Sequence, residues 1–293
     1  MHNMFFLDEK AVRYLLPPRD PASHKGSFGH VLCVCGCERY QGAAVLAALG
    51  ATRCGAGLVT AAFPRQAYAP IAAKLATAIM LPLPGNRYGT LKASALPMIR
   101  QALRDKSALL LGCGLGLNAN TKKITQVLLK ETACPLILDA DGLNAASMHM
   151  PSLETYSGSA LVLTPHPGEM SRLTGLPVEK IQRNRVEIAC QFTQAYNCVL
   201  VLKGAGTVVA AAGREPYINA TGNAGLAKGG SGDLLAGMIA SLLAQGMPAF
   251  EAATCGVYLH GLAADRVAAR LSQRGMDALD CADELPGMLS LFE

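Results

Sequence analysis

The sequence predicts an α/β domain with a central, mostly parallel sheet flanked by helices, and three observations predict it. Short apolar runs alternate with amphipathic stretches along the chain, the pattern of strands buried between helices. Glycine is abundant, with 30 in 293 residues, and 51% of residues are hydrophobic against 16% charged, so a large core is expected. Polar, glycine-bearing clusters recur where successive apolar runs end, and in an open parallel sheet that edge binds ligands.

Taken in order, residues 1–23 read as a lead-in, because Pro17, Pro18 and Pro21 oppose regular structure. A strand is predicted at HVLCVCG (30–36), a helix from Gln41 through Arg53, and a strand at LVTAAF (58–63), together a β-α-β unit. A third strand is expected over 76–83 and a helix over about 90–104. Strand 108–111, helix 121–131 and strand 135–138 follow. Strand 161–163 precedes helices over about 169–174 and 178–196. Strand 199–202 leads to a short hairpin, TVVAAAG to PYIN. A helix that starts at GGSGD (229–233) and runs to about 245, and helices over about 249–271 and 278–289, complete the chain. No repeat or linker-like stretch divides it, so 1–293 reads as one domain.

Composition excludes several function classes. Tryptophan is absent, aromatics are few and the net charge is only +5, which suits a small anionic ligand better than nucleic acid. No apolar run is long enough to cross a bilayer and no signal peptide is legible, so no membrane role and a cytoplasmic location are expected. Among the ten cysteines, Cys33, Cys35 and Cys37 alternate towards one face of a strand. No zinc-type partner set accompanies them, and they read as reduced, packed thiols.

The chemistry gathers in NATGNAGLAKGGSGDLLAGMIASLLAQ, residues 219–245. Leu234, Leu235, Met238, Ile239, Leu242 and Leu243 have helical spacing, and Gly246 and Pro248 stop the helix. The glycine-rich loop before it lets a ligand approach the backbone, and the first helical amides form an anion site. Asp233 at the helix start would repel a phosphate unless it takes a proton from an attacking hydroxyl, as phosphoryl transfer requires. A simple helix cap is the other reading.

Four further clusters lie at strand ends. GCGLG (112–116) is a glycine turn or a ligand contact. DADGLN (139–144) offers a carboxylate for Mg²⁺, or Asp141 as a helix cap. In TPHPGE (164–169), two prolines fix His166 at a strand exit beside Glu169, which favours a ligand contact over a core histidine. KGAGT (203–207) offers Lys203 as a point charge for phosphate, or an ordinary turn. Lys25 and Arg53 offer two further charges for an anion, or are solvated charges near helix ends. Neither a Walker loop nor a G-x-S-x-G elbow is present, and GCGLG does not extend to G-x-G-x-x-G because Leu117 occupies the final position.

In order, HKGSFGHVLCVCG, YQGAAVLAALGATRCGAGLVT, GCGLG, LDADGLN, LTPHPGEMSRLTG, VLKGAGTVV and GNAGLAKGGSGDLLAGMIASLLAQG resemble the ADP-dependent NAD(P)H-hydrate dehydratases of the ribokinase-like superfamily. The likeness runs from His24 nearly to the end. It implies three αβα layers and repair of reduced nicotinamide cofactors that have added water across a ring double bond. The hydroxyl of the S epimer of NADH or NADPH hydrate is phosphorylated at the expense of ADP, phosphate leaves, and AMP remains. It further implies Asp233 as the base, and the amides of Gly230, Ser231 and Gly232 receiving the phosphoryl charge. Lys203, Gly204, Ala205, Gly206, Thr207 and Gly232 would line the nucleotide site. Ala44, Gly114, Gly116, His166 and Asp233 would meet the hydrate. Mg²⁺ and a homo-oligomer, a tetramer, are implied too.

Two departures stand out. Gly36-Cys37 replaces the family's Gly-Ser pair, and the epimerase domain of many bacterial relatives is not expected here. Action on one epimer, with a separate epimerase or spontaneous exchange, follows. A ribokinase-like kinase for a vitamin-precursor alcohol shares the glycine loop and the aspartate, and is the rival reading. A non-catalytic nucleotide sensor would have no use for Asp233.

Overall fold

The computed structural model describes residues 7–154 and 156–293. The chain opens with α1 (Glu9–Leu15), β1 (His30–Val34), α2 (Gln41–Arg53), β2 (Leu58–Pro64), α3 (Tyr68–Ala72), β3 (Ile79–Leu83), α4 (Leu96–Leu103) and β4 (Ala108–Leu111). Next come α5 (Ala119–Glu131), β5 (Leu136–Leu138), α6 (Asp141–Ser147), α7 (Pro151–Glu154), β6 (Leu161–Leu163), α8 (Pro167–Thr174), α9 (Val178–Arg183) and α10 (Arg185–Tyr196). It closes with β7 (Val199–Leu202), β8 (Val208–Ala211), β9 (Tyr217–Ile218), α11 (Ser231–Ala244), α12 (Ala249–Gly275) and α13 (Ala278–Leu289).

Among the described residues the strands form one sheet in the order β3-β2-β1-β4-β5-β6-β7-β8-β9. Pairing is parallel from β3 to β7 and antiparallel for β7–β8 and β8–β9. The strand alternation separates two cores. Val31, Cys33, Val199 and Val201 face α2, α11, α12 and α13, while Leu32, Val34, Leu200 and Leu202 face α4, α5 and α8–α10. Helices therefore cover both faces, as a parallel sheet requires.

Helix α11 is buried along its length from Leu234 to Ala244, a helix enclosed on every side. Its fit against α2 depends on glycine. A Cβ on Gly50 would lie 2.2 Å from the Leu234 carbonyl oxygen, and one on Gly237 would lie 2.1 Å from that of Ala47. The alanine- and glycine-rich composition of α2 thus serves contact with a second helix as well as with the sheet.

Several boundaries differ from expectation. The lead-in is not without regular structure: Asp8 caps α1 by accepting from the Ala11 amide, and the prolines only terminate it. The first six residues of the lead-in lie outside the described residues. The third strand starts at Ile79, and the helix expected over 90–104 is a 3₁₀ turn leading into α4. The helix expected over 178–196 breaks at Asn184 (φ −130°, ψ 39°) into α9 and α10. DADGLN opens α6 directly. Cys33 and Cys35 share a face as expected, but Gly36 at φ 80° turns the chain before Cys37. All ten cysteines are free.

Candidate active site

Parallel strands deliver their following loops to one edge, and there the loops after β5, β6, β7 and β9 meet the start of α11. They enclose a cavity of about 720 Å³ lined by Asp139, His166, Glu169, Lys203–Thr207, Asn219–Asn223, Gly230–Asp233 and His260, among others. That volume suits a nucleotide-sized ligand.

Asp233 stands in the first turn of α11, and the cap position belongs to Gly230 (φ 95°), which makes no side-chain cap bond. Asp233 is therefore not a capping residue. Burial raises its pKa to about 7; the negative charge of Asp139 adds to the shift, while Lys203 and a hydrogen bond from Cys113 oppose it. Ahead of Asp233, the Ser231 amide makes only a long 3.5 Å contact to the Lys228 carbonyl. The first amides of α11 thus face the cavity as donors with the positive end of the helix dipole behind them.

Asp139, 1% exposed, is the electrostatic centre. Its Oδ1 accepts from Lys203 Nζ at 2.6 Å and from the Thr164 hydroxyl at 2.7 Å, and Cys113 Sγ lies 3.4 Å from Oδ2. Burial works against the Lys203 ammonium, but Asp139 and Glu169 beside it hold its pKa above the ordinary value. Its side chain reaches back to Gly232, where a Cβ would lie 3.2 Å from Nζ. Lys203 thus lies between a buried carboxylate and the first turn of α11. Ala140, with φ 48° and ψ −115°, is a strained non-glycine position beside it. Asp141 does not cap α6 with its side chain; its Oδ2 accepts from the Gly116 amide at 2.8 Å.

The strand exit at TPHPGE is a capping box. His166 Nδ1 accepts from the amides of Gly168 and Glu169, and Glu169 Oε2 accepts from the His166 amide. An accepting Nδ1 places the proton of the neutral ring on Nε2, 3.4 Å from Glu169 Oε1. Burial, then the positive charges of Lys203 and Arg172, lower the His166 pKa. The histidine is both a helix cap and part of the cavity wall.

The structure brings Asp233, Gly230, Ser231, Gly232, His166 and Lys203 to Thr207 around this one cavity. Ala44, in the first turn of α2, and Gly114 and Gly116, in the loop after β4, lie outside its lining. A Cβ on Gly114 would press on Ala43 and Tyr40, and one on Gly36 would lie 2.7 Å from Ala44 Cβ. Cys113 links the two groups, since its thiol reaches Asp139 and its neighbour is Gly114. Cys37, the departure from the family pattern, is buried beside them. Lys25 and Arg53 are elsewhere. Both precede strands, so both belong to the opposite edge of the sheet: Gly29 abuts Ala244 at the far end of α11, and Arg53 pairs with Asp283.

Sequence reasoning missed three contributors. Arg185 donates to the carbonyls of Leu202 and Gly206 and clamps the loop after β7. Asp265 accepts from the Gly222 amide and Asn223, shaping the segment after β9. His260 lines the cavity from α12. All three come from helices remote in sequence, and only the helical spacing of Val257, His260 and Gly261 hinted that the last shares a face with other wall residues.

An open sheet with this strand order, helices on both faces and a glycine loop feeding a buried helix defines a ribokinase-like protein. Solved structures agree at the level of fold, including hydroxyethylthiazole kinase from Pyrococcus horikoshii (TM-score 0.61, 15% identity, 96% of this chain and 94% of that one). Within that class the chain belongs to the NAD(P)H-hydrate dehydratase family, whose family model matches residues 31–287. It is 36% identical over 291 residues to the ADP-dependent (S)-NAD(P)H-hydrate dehydratase of Bacillus subtilis, covering 99% of this chain and 100% of that protein. A crystal structure of ADP/ATP-dependent NAD(P)H-hydrate dehydratase from Bacillus subtilis, co-crystallised with ATP/Mg²⁺, superposes with TM-score 0.85 at 34% identity, covering 99% of each chain. The bifunctional NAD(P)H-hydrate repair enzyme of Moorella thermoacetica is 43% identical over 281 residues, 96% of this chain. The chain spans about half the length of the bifunctional relatives it matches.

Proposed function

We propose that the chain catalyses ADP-dependent dehydration of the S epimer of NADH and NADPH hydrates, restoring the reduced cofactor with release of AMP and phosphate. One observation carries the reading: Asp233 is an uncapping, partly buried carboxylate, with a pKa of about 7, at an anion-binding helix start inside a nucleotide-sized cavity. As a carboxylate it accepts the proton of the hydrate hydroxyl while that oxygen attacks the terminal phosphoryl group of ADP. The amides of Gly230, Ser231 and Gly232 receive charge on the transferring group, and the bond to AMP breaks. Loss of phosphate and of a proton from the adjacent ring carbon then restores the double bond.

Lys203 to Thr207 and Gly232 form the proposed nucleotide site, and Ala44, Gly114, Gly116 and His166 the proposed hydrate site. Magnesium is proposed as well. Oxygens of Asp139 and Asp233 and the Cys113 sulfur lie within 4.8 Å of one another; the carboxylates suit this hard ion and the thiol does not. Bound with the nucleotide, it would offset phosphate charge. An oligomer, a separate epimerase activity and a cytoplasmic setting belong to the same proposal. Among the described residues no helix is long and apolar enough to cross a membrane, and free thiols at all ten cysteines suit a reducing compartment.

Incubation with NADH hydrate, Mg²⁺ and ADP or ATP tests the reading. Recovery of reduced-nicotinamide absorbance, with matching AMP and phosphate from ADP, is the expected result. Recovery with ATP alone would replace the donor. A stable phosphate ester with no phosphate release would point to the kinase chemistry instead.

A further inference from the structure

Helix α12 turns Val257, His260 and Gly261 towards the cavity from a single face. His260 is 6% exposed, and its Nε2 is fully buried with no hydrogen-bond partner among the described residues. Leaving a buried polar nitrogen unpaired is unfavourable, and a small turn of the ring towards the cavity would let a bound ligand pair with it. The neighbouring polar groups have already closed their own bonds. Asn219 accepts from the Tyr217 hydroxyl and donates to the Thr221 carbonyl, the Thr221 hydroxyl donates to the Tyr258 carbonyl, and the Gly222 amide donates to Asp265. His260, away from the start of α11, keeps a ring nitrogen with no partner among the described residues.

We propose that His260 is a nucleotide-binding residue whose Nε2 hydrogen-bonds the nucleoside part of the adenine nucleotide, an assignment that rests on the nucleotide-dependent reading above. The division of the cavity favours the nucleoside over the phosphates. Phosphate oxygens have the first amides of α11 and Lys203. The same lining holds Ala220, Leu226 and Val257, which offer a flat heterocycle an apolar bed. Burial, and then the charge of Lys203, push its pKa down to about 4. At neutral pH the ring therefore has one donor, one acceptor and no charge, as a base edge or a ribose hydroxyl requires.

Calorimetric titration of the full chain with ADP, AMP and pyrophosphate tests this, comparing wild type with His260→Leu and His260→Asn. His260→Leu is expected to weaken ADP and AMP about tenfold while leaving pyrophosphate unchanged, and His260→Asn to recover part of the loss. Because leucine removes an unsatisfied polar atom, the nucleotide-free melting temperature of that variant should hold or rise, which a merely structural histidine would not show. In wild type, the Nε2 nitrogen resonance of His260 should move on adding AMP and stay on adding pyrophosphate. This readout needs no variant to fold. Unchanged ADP and AMP affinity in His260→Leu, or an equal loss for pyrophosphate, overturns the assignment alone. Wild-type protein that binds neither ADP nor AMP overturns the nucleotide-dependent reading and the assignment with it.

Discussion

The two ends of helix α11 carry charge for opposite purposes. At its C-terminal end, α2 and α13 also finish, and three arginines lie around a second cavity of about 640 Å³. Arg13 donates to the Leu291 carbonyl, Arg19 donates to that of Gly55 at 2.5 Å and stacks on Phe28, and Arg53 pairs with Asp283. These cations answer the exposed carbonyls and negative dipole ends of finishing helices. At the N-terminal end the charges are instead held against one another, with two carboxylates and an ammonium in a buried cluster and a histidine unpaired. Charge that is fully satisfied supports the fold. Charge kept under strain lies at the end where the reaction is proposed.

The sharpest way to break this contrast is Asp233→Asn. Loss of the proposed base is expected to lower kcat by about 10³-fold or more while ADP affinity, measured by calorimetry, stays within a few fold. A turnover equal to wild type would end the assignment. The same group should set the pH profile. Activity is expected to rise with pH through a midpoint near 7 as the carboxylate ionises, and bound Mg²⁺ would move that midpoint down without reversing its direction. Stability should run the other way. A carboxyl with a folded-state pKa raised above its unfolded value is ionised first in the unfolded chain, so stability falls as pH rises from about 4 to 7. Asp233→Asn should therefore melt higher than wild type at pH 8, and the gain should fade at pH 4. Equal gains at both would deny that Asp233 is held against its charge.

Asp139→Asn attacks the same cluster through its structural member. It leaves Lys203 without its 2.6 Å partner in a buried setting, and breaking such a pair costs about 3 kcal/mol. A chemical denaturation curve is expected to show that loss, and Asp139→Asn combined with Lys203→Met to recover part of it. No recovery would mean that the pair is not a coupled unit. Within the scaffold, Gly237→Ala should cost about 1–3 kcal/mol despite the better helix propensity of alanine, because the new Cβ meets the Ala47 carbonyl. A gain in melting temperature would show that α2 and α11 can separate at little cost.

Much of this was legible in the chain. Apolar runs such as ALLL and VLVL located buried strands, and strand polarity placed TPHPGE, KGAGT and GGSGD at one edge before any coordinates. Local spacing also singles out Asp233, which lines the cavity. It could not show the Asp139–Lys203 pair, because the two residues lie 64 positions apart, just past different strands. His166 was expected as a ligand contact, yet its role as a helix cap depends on the backbone path after the prolines. His260 sits within an alanine-rich helix that reads as packing alone. Lys25 and Arg53 were weighed as anion contacts by residue type, although position before a parallel strand sends each to the wrong edge.

The smallest expected effect tests the quiet end of the molecule. Arg53→Ala removes a guanidinium that is 43% exposed, from a pair whose partner carboxylate is 77% exposed at 3.5 Å. Solvent screens such a pair, and its loss is expected to cost no more than about 0.5 kcal/mol. Steady-state kinetics with NADH hydrate and ADP should match wild type within twofold, since Arg53 lies at the opposite end of α11 from Asp233. If Arg53→Ala lowered kcat tenfold with an unchanged denaturation midpoint, the two ends of α11 would be coupled, and the division between supporting and reacting charge would fail.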